Sequence, residues 1–174
     1  MTAVKTQRIA EIIGLVGVIG SLIFVGLEIR QSAVATQSAT DAAVADGFRE
    51  MNLTMASSPE LARALASHAG NPAAAPPEDK VLILSLYRAM FHIWSNAHRQ
   101  HLNGTIDPAV FQSVVQELTA YSGQIPEGAN IADIQRRQKL TRWAWQSERF
   151  LYNPDFQRFV DDALAKGASE VAAP

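Results

Sequence analysis

Residues 12–27 read IIGLVGVIGSLIFVGL, sixteen positions without a charge. Glu11 and Glu28 bracket the run, and Arg8 and Arg30 stand just outside it. A spanning helix needs about 20 mostly apolar residues, so the strict run is short. Residues 9–29 reach that length if the two glutamates lie near the headgroups, where a carboxylate can reach water or take up a proton. Slight thinning of the bilayer absorbs the remainder. An uncleaved membrane anchor is therefore the expectation.

Two alternatives compete with it. Lys5 and Arg8, the apolar run and Ala33-Val34-Ala35 also spell a secretory leader with a small-x-small cleavage site. Glu11, Glu28 and Arg30 fit that reading poorly. A buried core helix would carry a polar stripe, and this run has none. Gly14, Gly17, Gly20 and Ser21 give the segment a flank of small residues, with Gly17 and Ser21 in small-xxx-small spacing. Such a flank lets two helices approach closely, so it is the candidate helix-association face. Lys5 and Arg8 precede the run and Arg30 follows it. The positive-inside bias then keeps the N-terminus cytoplasmic and exports the rest, in a bacterial cell to the periplasmic side of the inner membrane.

Beyond the run the chain looks soluble and helical. Apolar residues make up 48% of the whole, which excludes a disordered chain. The net charge of −2 gives no general attraction to nucleic acid or anionic lipid. With no cysteine there is no disulfide and no Cys-based zinc site. Residues 31–57 hold no proline, and their one glycine is Gly47. Phe48, Met51 and Met55 lie on one helical face, which predicts that the anchor helix continues here, with a bend at Gly47.

Helix starts follow one local grammar. Ser58-Pro59-Glu60, Asp107-Pro108 and Asn153-Pro154-Asp155 each put a capping side chain before a proline suited to the first helical position. The expected helices run from 58 to about 68, 78–102, 108–123, 132–151 and 154–167, with loops at 70–77 and 124–130. In the third, Ile83, Leu84, Leu86, Tyr87, Met90, Phe91, Ile93, Trp94 and Ala97 fill half the circle, which marks a central helix. Ser85, Arg88, His92, Asn96 and Arg99 fill the other half. The expected architecture is all-α: one transmembrane helix (1–30), an extension (31–57), a five- or six-helix bundle (58–167) and a frayed tail (168–174).

Several of these motifs recur in order: Ile29-Arg30-Gln31, Ser58-Pro59-Glu60-Leu61-Ala62-Arg63, the His/Arg/Gln segment at 96–104, and Asn153-Pro154-Asp155-Phe156 closing in Phe159-Val160. The chain resembles a large group of uncharacterised bacterial proteins with one N-terminal transmembrane helix and a small helical domain. The group's Gly-x-x-Trp-Trp element is replaced here by Leu140-Thr141-Arg142-Trp143-Ala144-Trp145. The resemblance implies the fold and no activity.

Chemistry is sparsely signalled. His98 and His101 are one turn apart on the third helix, and two imidazoles at that spacing can share a metal. Glu50, Glu117 or Glu148 would have to supply a further ligand. The plainer reading puts both imidazoles at the edge of the core. His92 reads as solvated and His68 as a last-turn residue. Arg136, Arg137, Lys139 and Arg142 form a basic run beside Trp145, which suits a membrane surface or a partner, or simply a solvated face. Trp143 is spaced to join the core with Leu140, Ser147 and Phe150. Asp161 and Asp162 read as solubilising. No phosphate-binding, hydrolase or metalloprotease motif occurs. No catalytic residue, cofactor or nucleic-acid partner is expected. The sequence points to a non-enzymatic, membrane-anchored interaction or scaffold protein, with the lipid bilayer and a second copy or a membrane protein as partners. A ligand- or signal-sensing bundle is the alternative, and a metal enzyme using His98 and His101 a third.

Overall fold

A computed structural model describes the backbone of residues 2–123 and 130–171, and the side chains of residues 14–123 and 130–166. The described residues form no strand and six α-helices: α1 (Thr2–Ser57), α2 (Pro59–His68), α3 (Pro77–Leu102), α4 (Pro108–Ser122), α5 (Ile131–Glu148) and α6 (Pro154–Val171). Short 3₁₀ turns at Pro72–Ala74 and Arg149–Leu151 complete the order.

The chain divides into two compact units, residues 1–39 and 40–174. The expected extension, 31–57, is therefore split, and its part from Thr40 onward belongs with the bundle. The first unit is a stretch of α1. Every described side chain in its apolar run is exposed, Leu22 and Phe24 each at 67%. Among the described residues α1 is the helix long and apolar enough to cross a membrane. Its backbone continues unbroken past Arg30, although Thr36 and Ser38 turn their hydroxyls back on the carbonyls of Ser32 and Val34.

In the second unit, local capping produces the expected starts. The Ser58 hydroxyl accepts from the Leu61 amide at 3.2 Å, the Asp107 carboxylate from Ala109 at 2.7 Å, and Asn153 from Phe156 at 2.9 Å. Asn130 caps α5 in the same way, accepting from Ala132. α4 ends where Gly123 takes a left-handed φ of 110°, and α3 is followed by Gly104 at φ 68°. The loop expected at 124–130 lies outside the described residues except for Asn130.

α3 is the central helix. Ile83, Met90, Phe91, Trp94 and Ala97 are fully buried, and α2, α4, α5 and α6 pack against it. Val44 and Met51 bring the end of α1 into the same core. Gly47 sits at this close approach, where a Cβ would lie 3.2 Å from Ile93 Cγ1. One correction concerns α6. Lys166-Gly167 does not close it; the helix passes through Gly167 to Val171, so most of the expected frayed tail is helical. Residues 172–174 lie outside the described residues.

Candidate functional site

The bundle buries two acids that the sequence did not single out as core. Asp79, in the first turn of α3, is 1% exposed and Glu148, at the end of α5, 4%. Burying a carboxylate is costly unless it is paired and hydrogen-bonded. Arg63 grips Asp79 with both terminal nitrogens, at 2.6 and 3.1 Å, and His68 Nε2 lies 2.9 Å away. The Arg63 hydrogen bonds hold the Asp79 carboxyl below the usual carboxylate range; burial opposes them, and His68 adds to them. His68 is thus more than a last-turn residue. Arg88 meets Glu148 through two bonds of 2.7 Å. Arg88 therefore does not belong simply to a solvated face of α3. Tyr152, whose hydroxyl donates to the Arg88 carbonyl, is pushed up to about 12 by burial.

Each histidine of the pair stacks on an aromatic neighbour. His98 stacks on Phe159 with ring centroids 4.6 Å apart, and His101 on Phe111 at 3.9 Å. Burial lowers the His98 pKa, and the neighbouring His101 lowers it further. The glutamates that could complete a site are engaged or distant in role. Glu148 holds Arg88, Glu117 accepts from Trp94 Nε1 at 3.5 Å, and Glu50 lines a groove beside Gly47. Among the described residues no three His, Cys, Asp or Glu side chains come together in a metal-binding group. His92 is exposed, its ring 5.4 Å from that of Tyr152.

The basic run of α5 does not form one patch. Arg136 and Arg142 are six residues apart, about 240° around a helix, and face different ways. Arg136 and Arg137 border a cavity near Tyr121, where the Arg137 guanidinium lies 5.3 Å above the ring. Arg142 donates to the Leu164 carbonyl of α6. Lys139 is exposed. Trp145, expected as a contact residue on the surface, is 2% exposed. It sits 5.0 Å from Phe91 and donates from Nε1 to Asp161 at 2.8 Å. Asp161 also receives Arg149 at 2.6 Å, so it fastens α5 to α6 as well as meeting solvent. Trp143 is half-buried against the core, whereas Phe150, expected beside it, is 77% exposed. The 3₁₀ turn at Arg149–Leu151 breaks the α-helical spacing on which the Phe150 assignment rested.

The association face lies open: no atom stands within 4 Å of a Cβ built on Gly14, Gly17 or Gly20, and Ser21 is exposed. Among the cavities that indent the bundle, two bear on the candidate residues. One, of about 460 Å³, runs beside Gly47, Met51, Leu61, Leu86 and Ile93. The other, of about 550 Å³, reaches Tyr87 and Leu140 beneath Arg136 and Arg137.

Fold and site together define a class: an all-α chain that joins a helix able to span a membrane with a packed helical bundle. No protein-family model, curated protein or solved structure matches this chain.

Proposed function

We propose that this chain is a single-pass membrane protein whose helical domain acts by binding rather than by catalysis. The observation that carries the reading is the uncharged run of α1, whose described side chains are exposed throughout and are too many and too apolar to face water. Lipid is the natural cover for it. Small residues on one flank favour a second helix there. The pairing of the buried acids Asp79 and Glu148 with arginines supports the non-enzymatic side, because both groups act as struts between elements.

The proposal includes kinship with the bacterial group named above, on the order of its motifs. It also places the anchor in the inner membrane and the bundle in the periplasm, on the charges of Lys5, Arg8 and Arg30. Cysteine cross-linking in native membranes tests it directly, since the chain has no cysteine of its own. Ser21→Cys should give a disulfide-linked dimer or a link to another membrane protein, while Ile23→Cys should give far less. A protein that stays monomeric and partnerless in both variants, and in low-detergent pull-downs, would overturn the interaction role.

One observation favours a second reading, that the bundle binds a small ligand. The larger cavity lies between helices, beside Tyr87 of α3 and Leu140 of α5, where bundles commonly hold ligands.

A further inference from the structure

The larger cavity has a chemistry that narrows what it would hold; the inference rests on the second reading above. Its volume of about 550 Å³ falls within the roughly 300–1,000 Å³ typical of small-molecule sites. Met55, Leu65, Leu86 and Leu140 supply apolar wall from four different helices. The polar groups gather at one place. Arg136, Arg137 and Asp133 border the cavity together with Tyr121. Arg136 is tied to Asp133 at 3.4 Å. Arg137 lies over the Tyr121 ring, and among the described residues no carboxylate pairs with it. Among the described residues the border thus carries two cations against one anion, and the Arg137 guanidinium rests on a ring rather than on a carboxylate.

An apolar wall beside a guanidinium that no described carboxylate holds suits a ligand built the same way. A cation would be repelled, and a neutral hydrocarbon would leave the arginine unused. A guanidinium fork matches a carboxylate or phosphate in two hydrogen bonds. We propose that this cavity binds a single-chain anionic amphiphile, its apolar body along Met55, Leu65, Leu86 and Leu140 and its carboxylate or phosphate on Arg137. The anion comes either from a free fatty acid in the aqueous phase or from an anionic phospholipid that inserts one chain.

Photolabelling of the full chain in phosphatidylcholine nanodiscs tests this, with a medium-chain fatty acid carrying a diazirine and the matching alcohol. The expected result is that the acid leaves adducts on peptides containing Met55, Leu65, Leu86 or Leu140, and the alcohol about tenfold fewer. Arg137→Gln should lower labelling by the acid about tenfold, the loss of one charge-assisted pair, and Arg137→Lys should restore part of it. Ala66→Leu, at an exposed position on the cavity wall, should lower labelling by occupying space. Suppression by excess decanoate alone supports a free carboxylate; added suppression in phosphatidylglycerol nanodiscs supports a phospholipid. Equal cavity labelling by acid and alcohol, unchanged in Arg137→Gln, overturns the anionic class and leaves ligand binding standing. Adducts confined to the apolar run of α1 overturn both.

Discussion

Single residues in this bundle carry constraints of distinct kinds, and two glycines separate them. Gly104 and Gly123 both have positive φ, a backbone state that L side chains adopt reluctantly. Around Gly104 a Cβ would meet nothing within 4 Å. At Gly123 it would fall 2.7 Å from Gln138 Nε2, and Gln138 is buried with its amide donating to the Ser122 carbonyl. Gly104→Ala should therefore cost about 1 kcal/mol of backbone strain alone. Gly123→Ala should cost about 2–4 kcal/mol, because the strain is joined by a broken buried hydrogen bond. Urea unfolding of the two variants checks the order. Asp79 carries a constraint that depends on pH. Its folded pKa lies below the ordinary 3.8, so the unfolded chain binds the proton more readily. The stability this supplies is fully present above pH 3.8 and is lost as pH falls through the depressed value. Asp79→Asn should lower the melting temperature at pH 7 and shrink the fall in melting temperature between pH 5 and pH 2. An unaltered acid limb would show that Arg63 and His68 do not hold this carboxyl. The two glycines were legible in the sequence as helix ends; the ion pairs were not. Arg63 and Asp79 are sixteen residues apart and Arg88 and Glu148 sixty. No local rule couples such pairs.

At the scale of elements, what could be read was what the chain settles locally. A capping side chain followed by proline starts a helix whatever surrounds it, which is why α2, α4 and α6 begin where expected. The apolar arc of α3 was legible because nine apolar residues on half a circle admit one placement, the centre. α5 was harder. Its apolar residues are few and its charges many, so the face turned inward depends on what α3 and α6 offer. They offer Phe91 and Asp161, a ring and an acceptor, which suit an indole better than a surface does. α6 ran past Gly167 because glycine only weakens a helix interior, by about 1 kcal/mol, and does not forbid it. Trp145→Ala should cost about 3–5 kcal/mol, as for other large aromatic truncations in a core. Phe150→Ser, two residues beyond the end of α5, should change stability by less than about 0.5 kcal/mol. The reverse order would mean that the basic run and Trp145 form a surface after all. Thermal unfolding followed by near-ultraviolet circular dichroism separates the two outcomes.

At the scale of the whole molecule the question is what the apolar run of α1 is for. Residues 12–27 in a helix span roughly 24 Å at about 1.5 Å per residue, and residues 9–29 roughly 31 Å. A hydrocarbon core is about 30 Å thick, so the longer count crosses it and the shorter one needs a thinner bilayer. A buried core helix is the wrong description, since the described residues of the run are exposed throughout. A lysine near the middle of a spanning helix costs about 2.5–3.5 kcal/mol on insertion scales. Ile19→Lys with Phe24→Lys should therefore release the protein from membranes into the soluble fraction on alkaline carbonate extraction, while the unaltered chain stays in the pellet. The bundle core begins only at Val44, so the released variant should keep the same tryptophan emission and a melting temperature within a few degrees. Release with an intact bundle assigns the run to the bilayer. Retention of the lysine variant would mean that the bundle itself holds the membrane, and the exposed Phe150 and Leu151 would then be the residues to change first. Release with a collapsed bundle would mean that the run stabilises the fold from outside, which the exposure of its side chains argues against.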